Sequence, residues 1–118
     1  MNIRAIAKSI DMDYDEVLED FCGDVQSIAT KLESYLSDCD FESLKDAVKK
    51  EDYQAVKKGA HKIKKCSEKL GLKAMEKVAA TLENAKSDRI ASAFEPLEKE
   101  YEKVKEVLEK KDEEEESV

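Results

Sequence analysis

The chain reads as an all-α protein, and three features of its sequence carry that expectation. Glycine occurs three times and proline once in 118 residues, so little in the chain forms tight turns or stops a helix. Strong helix formers such as Ala, Leu, Glu and Lys dominate the remainder. Apolar residues recur at alternating spacings of three and four, the period of a helix face, and not at the spacing of two that marks a strand.

Taken in order, Ile3, Ile6, Ala7 and Ile10 share one face and predict a short N-terminal helix over residues 1–9. Asp13 and, three residues on, Glu16 have the spacing of a capping box, so a second short helix is expected to run to about Phe21. Gly23 and Asp24 break and restart the chain. From there Ile28, Leu32, Tyr35 and Leu36 form a stripe that continues through Phe41, Leu44 and Val48, which predicts one long helix with a bend near Asp38 to Asp40. Asp52 is a good N-cap for the next helix, whose inward stripe is Val56, Ala60, Ile63, Ser67 and Leu70. Gly71 should end that helix in a left-handed conformation, and Leu72, Met75, Val78, Ala79 and Leu82 line the following one. Ser87 or Asp88 is expected to cap the last helix, with Ile90, Phe94, Leu97, Tyr101, Val104 and Leu108 facing inward and a local kink at Pro96.

Four long amphipathic helices joined by short loops bury their stripes most simply as an antiparallel up-down four-helix bundle, here over residues 10–111. Residues 112–118, with like charges from Asp112 to Glu116, are expected to form a disordered acidic tail. No internal repeat is evident. The heptad phase does not persist across Gly23, Asp52, Gly71 and Ser87, which argues against a continuous coiled coil.

A formal net charge of -8 disfavours nucleic acid and anionic membranes as partners. No apolar run approaches the roughly 18 residues of a membrane helix, and no signal-peptide core is visible, so a cytoplasmic location is expected. Three cysteines at wide spacing, with a single histidine, indicate neither a disulfide framework nor a metal site, and Cys22, Cys39 and Cys66 read as buried or half-buried thiols. No glycine-rich nucleotide loop is present, so no ATP-binding or kinase activity is expected. No carboxylate pair has the apolar surroundings that tune acid-base catalysis, so a hydrolase is not supported.

The one chemical concentration lies around His61. Residues three and four away share its face, and those four positions are Lys57, Lys58, Lys64 and Lys65. Cations near an imidazole favour its neutral, nucleophilic form, attract phosphoryl oxygens and steer an acidic partner. Against this stands the plainer reading, in which lysines simply cover an exposed helix face and the histidine packs at the edge of the core. Cys66 is about 140 degrees around the helix from His61 at 3.6 residues per turn, so the two cannot form a dyad. Gly59, inside a helix, calls for either a close helix approach or a partner contact.

The run Ala60-His61-Lys62-Ile63-Lys64-Lys65-Cys66-Ser67, continuing to Leu70-Gly71, resembles the phosphoacceptor signature of histidine-phosphotransfer domains. Phe21-Cys22-Gly23-Asp24 resembles the break before that family's second helix. Glu51-Asp52-Tyr53 resembles the turn into its histidine helix, and Leu82-Glu83 falls where the next helix faces the histidine. The resemblance extends from about Ile10 to Leu108. It implies a phosphorelay carrier that is not itself an enzyme, with His61 accepting through Nε2, Lys64 holding phosphoryl oxygens and Glu83 binding the other ring nitrogen. Lys57, Lys58, Gly59, Lys62 and Lys65 would contribute to partner docking. It further implies receiver domains of response regulators as partners, with a hybrid histidine kinase as a possible donor. It implies no cofactor on this chain, Mg²⁺ on the partner, and a monomer. The sequence departs from the signature at Lys65, where the family usually has glycine, which leaves open a helical adaptor that docks partners without being phosphorylated.

Overall fold

The computed structural model describes residues 3–116, with side chains described over residues 3–109. Its α-helices are α1 (Ile3–Ser9), α2 (Tyr14–Asp20), α3 (Val25–Cys39), α4 (Phe41–Lys49), α5 (Tyr53–Lys69), α6 (Lys73–Glu83) and α7 (Ile90–Glu116). A 3-10 turn over Ser87–Arg89 leads into α7, where the sequence had promised a side-chain cap from Ser87 or Asp88. No strand occurs among the described residues, and the only extended pairing is a bridge between Met12 and Leu72. None of the described helices is long and apolar enough to cross a membrane.

Short polar side chains start three of the helices. Asp13, Asp24 and Asp52 accept hydrogen bonds from the backbone N–H groups of Glu16, Ser27 and Ala55 at 3.2, 3.2 and 3.3 Å. The capping box at Asp13 is half formed, because its own N–H donates to the Gly71 carbonyl at 3.0 Å and the Glu16 carboxylate faces Lys73 instead. Gly71 closes α5 as expected, with φ +61° and with the N–H of Leu72 donating to the Ser67 carbonyl at 3.0 Å. A Cβ at Gly71 would lie 2.6 Å from Cγ2 of Val17, so the glycine also lets α2 pack against the end of the α5 helix.

The long helix expected after Gly23 and Asp24 and through Val48, with a bend near Asp38 to Asp40, is two helices that meet at that place. Asp40 adopts φ 50°, ψ 49°, a left-handed conformation that ends α3, and its carboxylate receives the Ser43 hydroxyl at 2.9 Å in the first turn of α4. Aspartate tolerates this conformation because its short side chain bonds locally. The apolar stripe runs on across the break, which is why its periodicity reads as one bent helix.

Helix α5 contacts α3, α4 and α6, while α7 packs on α6, α4, α3 and α1. The core consists of the expected stripes, with Val56, Ala60 and Ile63 on α5 and Leu97 on α7 fully buried and Val104 nearly so. Phe41 stacks on Tyr101 and Phe94, with ring centroids 4.0 and 5.7 Å away. The N-terminal helix joins the same core through Ile3, Ile6 and Ala7. Helix α7 continues through Pro96, and its backbone span runs on to Glu116, into the run from Asp112 that the sequence assigns to a tail. Residues 117–118 of the expected tail lie outside the described residues. The thiol of Cys22 is exposed, contrary to expectation, because that residue sits in a left-handed turn after α2 with φ 54°.

Candidate functional site

The burial of α5 sets the place of His61. Val56, Ala60, Ile63 and Ser67 point inward, so His61, one residue past Ala60, stands at the rim with its side chain 49% exposed. On α6, Leu82 is fully buried and the adjacent Glu83 emerges at the same rim, facing His61. The Glu83 carboxylate binds two donors at once. Its Oε2 lies 2.7 Å from His61 Nδ1, and its Oε1 lies 2.8 Å from Lys64 Nζ.

This bridge defines the proton positions. The Lys64 ammonium and, to a lesser degree, the His61 ring hold the Glu83 carboxyl below the usual carboxylate range, while partial burial opposes them. The same contact with Glu83 raises the Lys64 ammonium above its ordinary value. Glu83 is therefore ionised near neutrality and can only accept, so Nδ1 of His61 carries the hydrogen. In the neutral ring the lone pair then sits on Nε2, which has no protein partner among the described residues.

The remaining candidates divide. Lys65 stands 57% exposed and turns toward Glu68, with Nζ 3.7 Å from Oε2, so it is partly occupied along its own helix. Lys57, Lys58 and Lys62 are exposed and have no ion-pair partner among the described residues. Gly59 faces α4: a Cβ there would lie 3.1 Å from Leu44 Cδ1. The close helix approach that the sequence offered as one reason for this glycine is therefore present. No cluster of three metal-ligating side chains occurs among the described residues.

A profile of the Hpt domain family matches residues 16–109 of the 118-residue chain. The chain belongs to the Hpt domain family. No curated protein and no solved structure matches it. Hpt domains are phosphoryl carriers of phosphorelays, and the matched segment contains His61, Lys64 and Glu83 together.

Two features of this Hpt domain were not legible in its sequence. One is the double use of Glu83, because Lys64 and His61 meet the same carboxylate only when α5 and α6 pack. The other lies between α3 and α5, where the Tyr35 and Ser67 hydroxyls share a buried hydrogen bond of 2.7 Å. Both had been read as plain members of apolar stripes; a serine in an otherwise apolar inward position was the available signal. Burial pushes Tyr35 well above its ordinary value and the neighbouring Cys39 thiol up to about 12, so this group stays neutral.

Proposed function

We propose that this Hpt protein accepts a phosphoryl group on Nε2 of His61 from the phosphoaspartate of a receiver domain, or from a histidine kinase, and passes it to the aspartate of a response regulator. The observation that carries the reading is the Glu83 carboxylate held 2.7 Å from Nδ1 at an exposed histidine. It leaves the nucleophilic lone pair on Nε2, the nitrogen without a protein partner among the described residues.

In the forward step the Nε2 lone pair attacks phosphorus, the P–O bond to the donor carboxylate breaks, and that carboxylate leaves with the bonding pair. No proton need move, since Nδ1–H stays on the ring and Glu83 balances the positive charge that develops there. Lys64 uses one of its three N–H bonds on Glu83, which leaves two for phosphoryl oxygens. The return step is the same displacement in reverse direction, on the aspartate of the next receiver. Mg²⁺ would be supplied by the receiver, and this chain acts as a carrier and not as a kinase. The four long segments α3–α4, α5, α6 and α7 would form an antiparallel up-down bundle in a cytoplasmic monomer, with short links at Leu70–Leu72 and Asn84–Lys86 supporting that arrangement.

The test is transfer of label from a panel of phosphorylated receiver domains and kinases to the wild type and to His61→Gln, both checked for equal helicity. Label on the wild type alone supports the carrier. Its absence from both, with the fold intact, favours an adaptor that docks without phosphate chemistry, and Lys65→Gly then asks whether that side chain is the obstacle.

A further inference from the structure

A phosphoryl group on Nε2 of His61 brings negative charge and new acceptor oxygens to the rim of α5, and the lysines within one turn differ in their freedom to meet it. Helix geometry ranks them. Every side chain of an α-helix leans toward the N-terminus, so Lys64 and Lys65 lean back over the turn that carries His61, while Lys57 and Lys58 lean away from it. An anion followed four residues later by a cation is also the better order for an ion pair on a helix, and phosphorylated His61 with Lys65 has that order. At 3.6 residues per turn, Lys65 lies about 40 degrees around α5 on one side of His61 and Lys64 about 60 degrees on the other. The Lys64 side is the one on which Glu83 takes Nδ1, and there Lys64 is partly buried and held, with Nζ 2.8 Å from Glu83 Oε1. Lys65 is more than half exposed, and its carboxylate neighbour is Glu68, with Nζ 3.7 Å from Oε2, beyond hydrogen-bond distance and with the cation first. An exposed pair of that kind contributes little. The Lys65 ammonium is therefore weakly occupied, one turn from the acceptor nitrogen.

We propose that Lys65 is a phosphoryl ligand recruited by phosphorylation: its ammonium leaves Glu68 and bonds a phosphoryl oxygen on Nε2 of His61, while Lys64 stays anchored on Glu83. The proposal rests on the carrier reading above. It gives a role to the residue at which this chain departs from the phosphoacceptor signature, where a glycine could bond nothing. The exchange of partners moves hydrogen bonds alone. The Glu68 carboxylate, itself more than half exposed, is taken up by water, and the phosphoryl oxygens gain a charge-assisted bond that a pair at 3.7 Å does not match. The added negative charge is then met from both sides of His61 by the chain's own ammonium groups, before any partner is present.

The experiment labels the full chain with phosphoramidate, so that no partner protein enters the readout, and follows the phosphohistidine signal through its pH titration by phosphorus-31 NMR. The charged groups set around it are Glu83 from α6 and Lys57, Lys58, Lys64 and Lys65 from α5, and the variants change them one at a time. An ammonium bonded to the phosphoryl group favours its more negative form, so Lys65→Met should move the midpoint upward by about half a pH unit, the scale of an exposed ion pair. Lys58→Met removes an equal charge from the turn before His61 and should move it much less. Lys65→Arg keeps the charge and the donors and should stay near wild type. Glu68→Gln releases Lys65 and should lower the midpoint, an effect that disappears when it is combined with Lys65→Met. A shift in Lys65→Met no larger than that in Lys58→Met, a Lys65→Arg midpoint as high as that of Lys65→Met, or a Glu68→Gln effect that persists in the Lys65→Met background overturns the assignment and leaves the carrier reading standing. No label on a correctly folded wild type overturns both.

Discussion

Replacing Glu83 by alanine should move the proton on the His61 ring. In the wild type the carboxylate oxygen 2.7 Å from Nδ1 accepts the ring hydrogen and stabilises the tautomer with its lone pair on Nε2. A hydrogen bond to a charged group contributes about 1.5–3 kcal/mol when sheltered. The His61 side chain is 49% exposed, so water competes for both partners. About 1 kcal/mol is then the reasonable scale for an exposed charged pair, or roughly fivefold in the tautomer ratio, since 1.4 kcal/mol is tenfold. Nitrogen-15 NMR of the ring at a pH where it is neutral reads the two tautomers directly. The wild type should show Nδ1 as the protonated nitrogen, and Glu83→Ala should shift the ratio toward Nε2–H by about that factor. Labelling by a small phosphodonor should slow in step, because the exposed nitrogen then lacks its lone pair. A wild type that already prefers Nε2–H, or a variant with unchanged nitrogen shifts, would refute the argument.

Three further outcomes follow from contacts elsewhere. Tyr35→Phe leaves the Ser67 hydroxyl buried without its 2.7 Å partner and should cost about 1–3 kcal/mol in urea denaturation; adding Ser67→Ala should recover part of that loss, and strict additivity would contradict the pairing. Gly71→Ala places a Cβ in a left-handed residue and 2.6 Å from Val17 Cγ2, so a loss of at least about 1–2 kcal/mol is expected, measured in the same way. The Lys64–Glu83 bridge gives a pH dependence of known sign. Because Glu83 is lowered on folding, its contribution is present above the unfolded carboxylate value near ~4.3 and is lost as pH falls through the folded one. Because Lys64 is raised, its contribution is present below about 10.4 and is lost at higher pH as the folded value is passed. The difference in melting temperature between wild type and Lys64→Met should therefore be flat from about pH 5 to 10 and shrink on both sides. A difference that persists at pH 2 would show that the bridge is not its source.

How much of this was legible beforehand depended on whether a feature is local in the chain. The stripe Val56, Ala60, Ile63, Ser67 and Leu70 is buried as its spacing demanded, and Asp52 and Gly71 bound α5 where their side-chain chemistry placed them. The rim position of His61 follows from that stripe alone. The interruption at Asp40 was legible only as a bend near Asp38 to Asp40, because a left-handed residue shifts the helix axis without interrupting the apolar order from Tyr35 to Phe41 and Leu44. Pairings between helices were out of reach as well. Nothing in the separation of Lys64 from Glu83, or of Tyr35 from Ser67, marks them as partners until α5 packs on α6 and α3. The free or committed state of each lysine is likewise a property of the neighbours that folding supplies. That is why the four lysines around His61 look alike in the sequence, while in the structure Lys64 and Lys65 face carboxylates and Lys57 and Lys58 do not.

The most direct test of the central claim is to locate the phosphoryl group after exposure to a phosphorylated receiver domain or to phosphoramidate, using phosphorus-31 and nitrogen-15 NMR on the labelled protein. The account predicts a single acid-labile, alkali-stable phosphoryl group bonded to Nε2 of His61, with Nδ1 still protonated toward Glu83 and no signal from His61→Gln. A phosphoryl group on Nδ1, on another residue, or on no residue of a correctly folded protein would contradict it.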